Sequence, residues 1–227
     1  MDPRERFFAR LALARKIDRE LGPFDPAHLD ALAAVDRTAF VRPGDEGRSL
    51  DDTPLPLDDE GLATISAPHA YLLSFRLVEL GPGDHFLELG SGSGYGAALA
   101  SRIVGSQGHV DTIEISPDLA KVARRSLDGI ANVTVHEGDA MTITPLWKSV
   151  KRIITTFAVD TMPDAWLDAI AAGAILVAPV GPQGKDQRLV KVIKDAAGSI
   201  RITDHGAVRY VRNRSQPMRG PLGGSGA

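Results

Sequence analysis

The chain has 227 residues, 43% hydrophobic and 24% charged, with a formal net charge of −3 and no cysteine. That length suits one substantial α/β domain with additions, and the charge argues against a general binder of nucleic acid or membrane surfaces, which needs a basic field. Without cysteine there are no disulfides, thiolate metal sites or cysteine nucleophile, and the composition fits a reducing compartment.

Residues 3–21 predict an amphipathic helix, with Phe7, Leu11 and Ala14 at helical spacing. Arg4, Arg6, Arg10 and Arg15 interrupt its apolar residues and four acids accompany them, so this stretch reads as neither signal nor transit peptide. No apolar run is long enough to span a bilayer, and the expected location is the cytoplasm. "FDPAHLDALAAV" predicts a second helix, with Asp25 as N-cap and Pro26 at its first position. Residues 41–62 are rich in Pro, Gly and Asp and have no period, which predicts a long loop of the kind that often carries function. "ATISAPHAYLLSFRLVEL" predicts a third helix, with Ser66 as cap, Pro68 in the first turn and a stop at Gly81.

From Asp84 strands and helices alternate. "HFLEL", "HVDTIEI", "NVTVHEG", "RIITTFA" and "AILVAPVG" read as strands, and "YGAALASRIV", "SPDLAKVARRSL" and "DAWLDAIAA" as helices. "QRLVKVIKD" and "SIRITDHG" read as an antiparallel hairpin, followed by a short strand in "AVRYV". Such alternation implies a doubly wound, mostly parallel sheet with right-handed crossovers, here with antiparallel strands at its C-terminal edge. The organisation expected is a helical and loop region over 1–80 packed on an α/β core over 81–212, then a disordered tail over 213–227. The arginines of "VRYVRNRSQPMR" read as a solvated edge.

In a doubly wound sheet the ligand lies beyond the C-terminal ends of the strands, at the first βα turn. Here that turn is "GSGSG". A dinucleotide fingerprint started at Gly90 meets Tyr95 where its third glycine belongs, and no Gly-Lys-Ser/Thr follows to make a P-loop. Glu88, Gly90, Gly92 and Gly94 instead form acid-x-G-x-G-x-G, which resembles the first motif of S-adenosylmethionine (SAM) methyltransferases. In that register Glu88 suits the cationic methionine end of SAM. Glu114, about twenty residues on at the end of the second strand, suits the ribose hydroxyls, and Asp139 after the third strand suits the adenine amino group.

Base-nitrogen acceptors usually come with an Asn/Asp-Pro-Pro-aromatic segment after the fourth strand, and "TTFAVDTMP" lacks one. The six histidines show no ligand spacing, and no metal site is expected. A carboxylate acceptor asks least of the protein, since with an ordinary pKa of about 3.9 it arrives ionised. It needs only to be held and aligned. Thr64, Ser66 and the amides of the helix start at 67–69 offer such a cradle, although Ser66 serves equally as a plain helix cap.

"PLPLDDEGLATISAPH", "LELGSGSGY", "TIEISPDLA", "EGDA" and "AILVAPVG", in that order, resemble the protein-L-isoaspartate (D-aspartate) O-methyltransferases over roughly residues 25–212. The resemblance implies a Rossmann-like SAM methyltransferase fold and methyl transfer from SAM to the free α-carboxylate of an isoaspartyl residue in a peptide or protein. That ester collapses to a succinimide and begins repair. Ser66 would be the active-site hydroxyl. Ala63, Thr64, Ile65, Ser66, Glu88, Gly90, Ser91, Gly92, Gly94, Glu114, Ile115, Asp139 and Ala140 would hold the cofactor, and Thr64, His69 and Asp160 the substrate. A monomer without nucleic-acid or membrane partners is expected. The chain departs from the family pattern at Leu62 and Ala63, where a glutamine is usual, and at Asp160 and Arg212, where prolines are usual. These departures favour the alternative of a specialised member that methylates a carboxyl group of a dedicated peptide or small molecule.

Overall fold

The structure, a computed structural model, describes residues 2–215. It begins with helices α1 (Pro3–Leu21) and α2 (Pro26–Ala34). The Asp2 carboxylate accepts the Glu5 amide at 2.8 Å while Glu5 reaches back to the Asp2 amide at 2.9 Å, a capping box. The Asp25 carboxylate accepts the Ala27 amide at 2.8 Å and Pro26 opens α2, as its sequence predicts.

The loop that follows is not wholly irregular. Strand β1 (Leu55–Pro56) pairs antiparallel with β2 (Thr64–Ile65), so a small ribbon stands where the sequence reads as unstructured. Two-residue strands are too short to show any alternation. Helix α3 (Pro68–Val78) begins one residue later than expected, with Ala67 at the N-cap. Ser66 is therefore not the cap. The His69 amide is instead taken by the Asp52 carboxylate, 2.9 Å away across the preceding loop. The helix ends at Glu79, whose left-handed φ of 59° lets the Leu80 amide reach the Phe75 carbonyl at 3.0 Å, ahead of the glycine stop expected at Gly81.

The βα units then run β3 (His85–Leu89), α4 (Tyr95–Val104), β4 (His109–Glu114), α5 (Pro117–Ser126), β5 (Val133–Glu137), β6 (Arg152–Thr155), α6 (Asp164–Ala169) and β7 (Ile175–Val180). β8 (Gln187–Lys194) and β9 (Ile200–Val208) close the sheet as an antiparallel hairpin. β9 continues to Val208, so no separate strand forms in "AVRYV". The seven-stranded order is β5-β4-β3-β6-β7-β8-β9, with β5 to β7 parallel. The order reverses at β3, which opens a crevice at its C-terminal end.

Alternation along β3 sorts the core. Phe86 faces the layer that Ile17, Leu32, Leu72, Phe75 and Tyr95 build, which joins the N-terminal helices to the sheet in one cluster. Leu87 and Leu89 face the other layer, where Trp147 and Trp166 lie with ring centroids 5.4 Å apart. Among the described residues no helix is long and apolar enough to cross a membrane. The chain remains ordered past residue 212, because the Asn213 amide bonds to the Ala158 carbonyl at 3.0 Å and Asn213 is buried. Residues 213–215 thus leave the expected tail, and the rest of it, 216–227, lies outside the described residues.

On the second face, the link from β5 to β6 carries only a 3-10 turn (Pro145–Lys148) in place of a full helix. Three half-exposed histidines remain there around the buried Asp111. His85 Nε2 and His136 Nε2 each lie 2.6 Å from its carboxylate, and His109 Nε2 lies 3.8 Å away. Burial alone would raise the Asp111 pKa, but hydrogen bonds from His136 and His85 outweigh it and hold the group below its ordinary value. A depressed carboxylate contributes stability above its unfolded pKa and loses it as pH falls through the folded value. Asp111→Asn is therefore expected to cost about 1–3 kcal/mol in urea unfolding at pH 7, with the gap to wild type shrinking below about pH 4. Equal stabilities at pH 7 would remove the cluster from the account of the fold.

Candidate active site

The turn from β3 into α4 works only with glycine. Gly90 has φ 97°, and a Cβ there would collide with the Thr156 hydroxyl, which donates to the Gly90 carbonyl at 2.6 Å. Gly92 has φ 53°, and its missing Cβ leaves room for Leu57 and the Thr64 carbonyl of the β1–β2 ribbon. The Gly92 amide donates to Glu114 Oε2 at 2.8 Å, and the Ser116 amide to Oε1 at 2.9 Å. One carboxylate thus ties the loops that follow two adjacent parallel strands. Burial raises its pKa, while the Ser116 and Gly92 amides and the charge of Arg214 oppose the rise.

Gly90, Gly92 and Glu114 line a cleft together with Ala63, Thr64, Ile115, Asp139 and Ala140. Asp139 is fixed by the Met141 amide, which donates to its Oδ1 at 2.8 Å. Apolar walls from Ile113, Leu119 and Ala140 between two carboxylates fit an adenosine group: the walls take a flat ring, and the carboxylates accept from the ribose hydroxyls and the ring amine.

The remaining cofactor candidates stand behind the cleft. Ile65 is a core residue, and Gly94 caps α4 against Leu127. Ser91 is buried with its Oγ 2.7 Å from Thr112 Oγ1, which in turn donates to Glu88 Oε2 at 2.8 Å. The expectation for Glu88 is corrected here. Strand alternation points it beneath α4, where it is fully buried and its carboxyl packs against the Cα of Gly96. Burial pushes its pKa up to about 8, so near neutral pH it is mostly protonated and offers no charge to a sulfonium. Its part is to hold Thr112 and Ser91 under the glycine turn.

A second cleft adjoins the first, and Thr64 and Val211 line both. Ser66 and His69 belong to this second cleft. The Ser66 hydroxyl has no hydrogen-bond partner among the described residues, since Asp52 has taken over the start of α3. The Asp52 Oδ1 that accepts the His69 amide also lies 3.0 Å from His69 Nδ1. Burial would raise the Asp52 pKa, but the His69 hydrogen bonds and the charges of His69 and Arg37 hold it low. Ser66 is set from beneath by the buried Arg37, whose guanidinium donates to the carbonyls of Asp51, Thr53 and Ser66 at 2.9, 2.9 and 3.0 Å.

Comparison with known proteins agrees with this geometry. The family model described as protein-L-isoaspartate(D-aspartate) O-methyltransferase matches residues 16–216. A protein-L-isoaspartate O-methyltransferase of Ignicoccus hospitalis is 40% identical over 173 residues, 75% of this chain and 81% of that one. A second, from Archaeoglobus fulgidus, is 34% identical over 98% of this chain and 95% of its own length. The chain belongs to the protein-L-isoaspartate(D-aspartate) O-methyltransferase family. A solved protein-L-isoaspartate O-methyltransferase superposes with TM-score 0.80 at 25% identity, over 89% of this chain and 65% of that one, so the chain spans a little under two thirds of that structure. A Plasmodium falciparum structure described as a complex with S-adenosyl-L-homocysteine shares the fold, with TM-score 0.77 at 20% identity, over 91% of this chain and 99% of that one.

Asp160 and Arg212, where prolines were expected from the resemblance, are accounted for together by the structure. The two side chains face each other at 3.8 Å, and the Ala158 amide donates to the Val211 carbonyl at 2.8 Å. Asp160 is thereby turned toward Arg212 and lines neither cleft, which corrects its expected place in the substrate wall. Residues 211–214 roof the first cleft, and Arg214 reaches Asp58 at 3.8 Å. Sequence reasoning missed this roof, along with Thr156 and Phe157 at the end of β6. The arginines look like a solvated edge until the strands are closed; Thr156 and Phe157 follow directly from β6 lying beside β3.

Glu114→Gln keeps the shape of the tie but turns an amide NH2 toward one of the two backbone donors. Titration calorimetry should show SAM affinity reduced about tenfold, the value of one charge-assisted hydrogen bond. Unchanged affinity would remove Glu114 from the cofactor site.

Proposed function

We propose that this chain is a SAM-dependent carboxyl methyltransferase that esterifies the free α-carboxylate of L-isoaspartyl residues in peptides and proteins, the first step of their repair through a succinimide. The observation that carries the proposal is the junction of the two clefts at Thr64 and Val211, with the uncommitted Ser66 hydroxyl on the acceptor side. When bound, SAM supplies a methyl group activated on a sulfonium.

The protein's own work is placement. Glu114 and Asp139 orient the nucleoside, and the roof over residues 211–214 keeps water from the cleft. The acceptor carboxylate is ionised near neutral pH, so no general base is required. The Ser66 hydroxyl donates to one of its oxygens and aims the other, and alignment of this kind supplies roughly 7–11 kcal/mol of barrier reduction. Arg37 fixes the Ser66 backbone, and Asp52 fixes His69 and the start of α3, so the donor is held before the acceptor arrives.

The test pairs labelled SAM with matched peptides that carry isoaspartate or aspartate at one position. Base-labile label on the isoaspartyl peptide alone is expected. Label on neither, with SAM binding intact, would overturn the assignment. Ser66→Ala should lower turnover about tenfold or more, the worth of a hydrogen bond to a charged group, with SAM affinity within about twofold; an undiminished rate would take Ser66 out of catalysis.

One chain supplies both clefts, which supports a monomer; the cytoplasm as its location, and the lack of nucleic-acid or membrane partners, belong to the same proposal. Light scattering of the purified protein should give the mass of a single chain, and a stable dimer would refute that part.

A further inference from the structure

The acceptor cleft has a charged rim that the chemistry at Ser66 does not use. Lys185, in the turn between β7 and β8, and Arg209, just past β9, both line it and are both exposed. Among the described residues neither has a carboxylate within ion-pair distance, and neither makes a side-chain hydrogen bond. The other groups at the rim that can carry charge near neutral pH are a histidine and an aspartate. His69 is held by Asp52 at 3.0 Å. Asp186, the acid among the lining residues, is exposed and acts electrostatically on Arg188, which itself pairs with Asp204 at 2.8 Å, so the rim carries two cations against one carboxylate. Two cations without an ion-pair partner thus outnumber the one acid at the channel by which a peptide reaches Ser66, on a chain whose formal net charge is −3.

We propose that Lys185 and Arg209 make the acceptor cleft selective for isoaspartyl sites flanked by acidic residues. This rests on the carboxyl-methyltransferase assignment above and adds to it the kind of peptide preferred. The isoaspartyl carboxylate itself is buried against Ser66 and Thr64 on binding, whereas its neighbours along the peptide cross the rim. An aspartate or glutamate there meets an unpaired cation, and a lysine or arginine meets repulsion. Both cations sit on exposed side chains, so the preference is electrostatic and adaptable rather than a fixed lock. It is also screened by salt, because the Debye length shrinks to a few ångströms at high ionic strength.

The experiment measures binding of fluorescent isoaspartyl peptides, flanked by Glu or by Lys, to the protein saturated with S-adenosylhomocysteine. At low salt the Glu-flanked peptide should bind about three- to tenfold more tightly, the combined worth of two exposed charge pairs, and the difference should collapse near 0.5 M salt. Lys185→Glu with Arg209→Glu should reverse the order. Arg124→Glu with Arg125→Glu on α5 makes the same change in net charge away from the cleft and should leave the order as in wild type. Equal binding of the two peptides to the wild type at low salt, or an unreversed order in the Lys185/Arg209 pair, would overturn the proposal. A reversed order without methyl transfer to any peptide would support the cleft's preference while refuting the methyltransferase assignment.

Discussion

The Glu114 carboxylate, accepting one backbone amide from the loop after β3 and another from the loop after β4, is the constraint around which the site is organised. Both amides lie at the C-terminal edge of the sheet, where a missing acceptor would leave a donor unsatisfied at a cost of about 1–3 kcal/mol. The tie also transmits position. Gly92 is drawn toward β4, and in the space left by its absent side chain sits the ribbon that carries Thr64. Thr64 then borders both clefts. A carboxylate suited to a ribose is in this way also a spacer between cofactor and acceptor.

The acceptor side relies on a different economy of hydrogen bonds. A serine ahead of a helix normally spends its hydroxyl on the helix's own amides. Here Asp52 meets that need from a neighbouring loop, and Arg37 holds the loop and the Ser66 carbonyl together through one buried guanidinium. Removal of either tether would let Ser66 revert to the capping geometry its sequence context prefers. The hydroxyl is available because other residues do its local work.

The βα alternation and the helices from α4 to α5 were legible because their signals are local: apolar alternation, Pro117 after Ser116, and glycines at the turn. Gly90, Gly92, Glu114 and Asp139 could be read as neighbours in one cleft since each stands at the end of a strand, and strand ends in this topology converge. Glu88 illustrates where such reasoning fails. The motif marks its position, but only the packing of α4 decides that its side chain turns inward and stays protonated. The cap role offered to Ser66, and the surroundings of Asp160 and Arg212, were misread for a related reason. Asp52 takes the start of α3 from 17 residues before His69, and Arg212 meets Asp160 beside a bridge from Ala158 to Arg212, so no short window of sequence contains both members.

The roof over the first cleft comes after every described strand and helix in chain order, and it is fastened at Ala158, Asp160 and Asp58 to parts of the fold made long before it. During synthesis the sheet is therefore able to assemble with its cofactor cleft still uncovered, and the cover arrives last. Folding and completion of the site are separate events in time. A chain stopped just past Val208 would retain the whole sheet yet lack the four residues, 211–214, that form one wall of the first cleft.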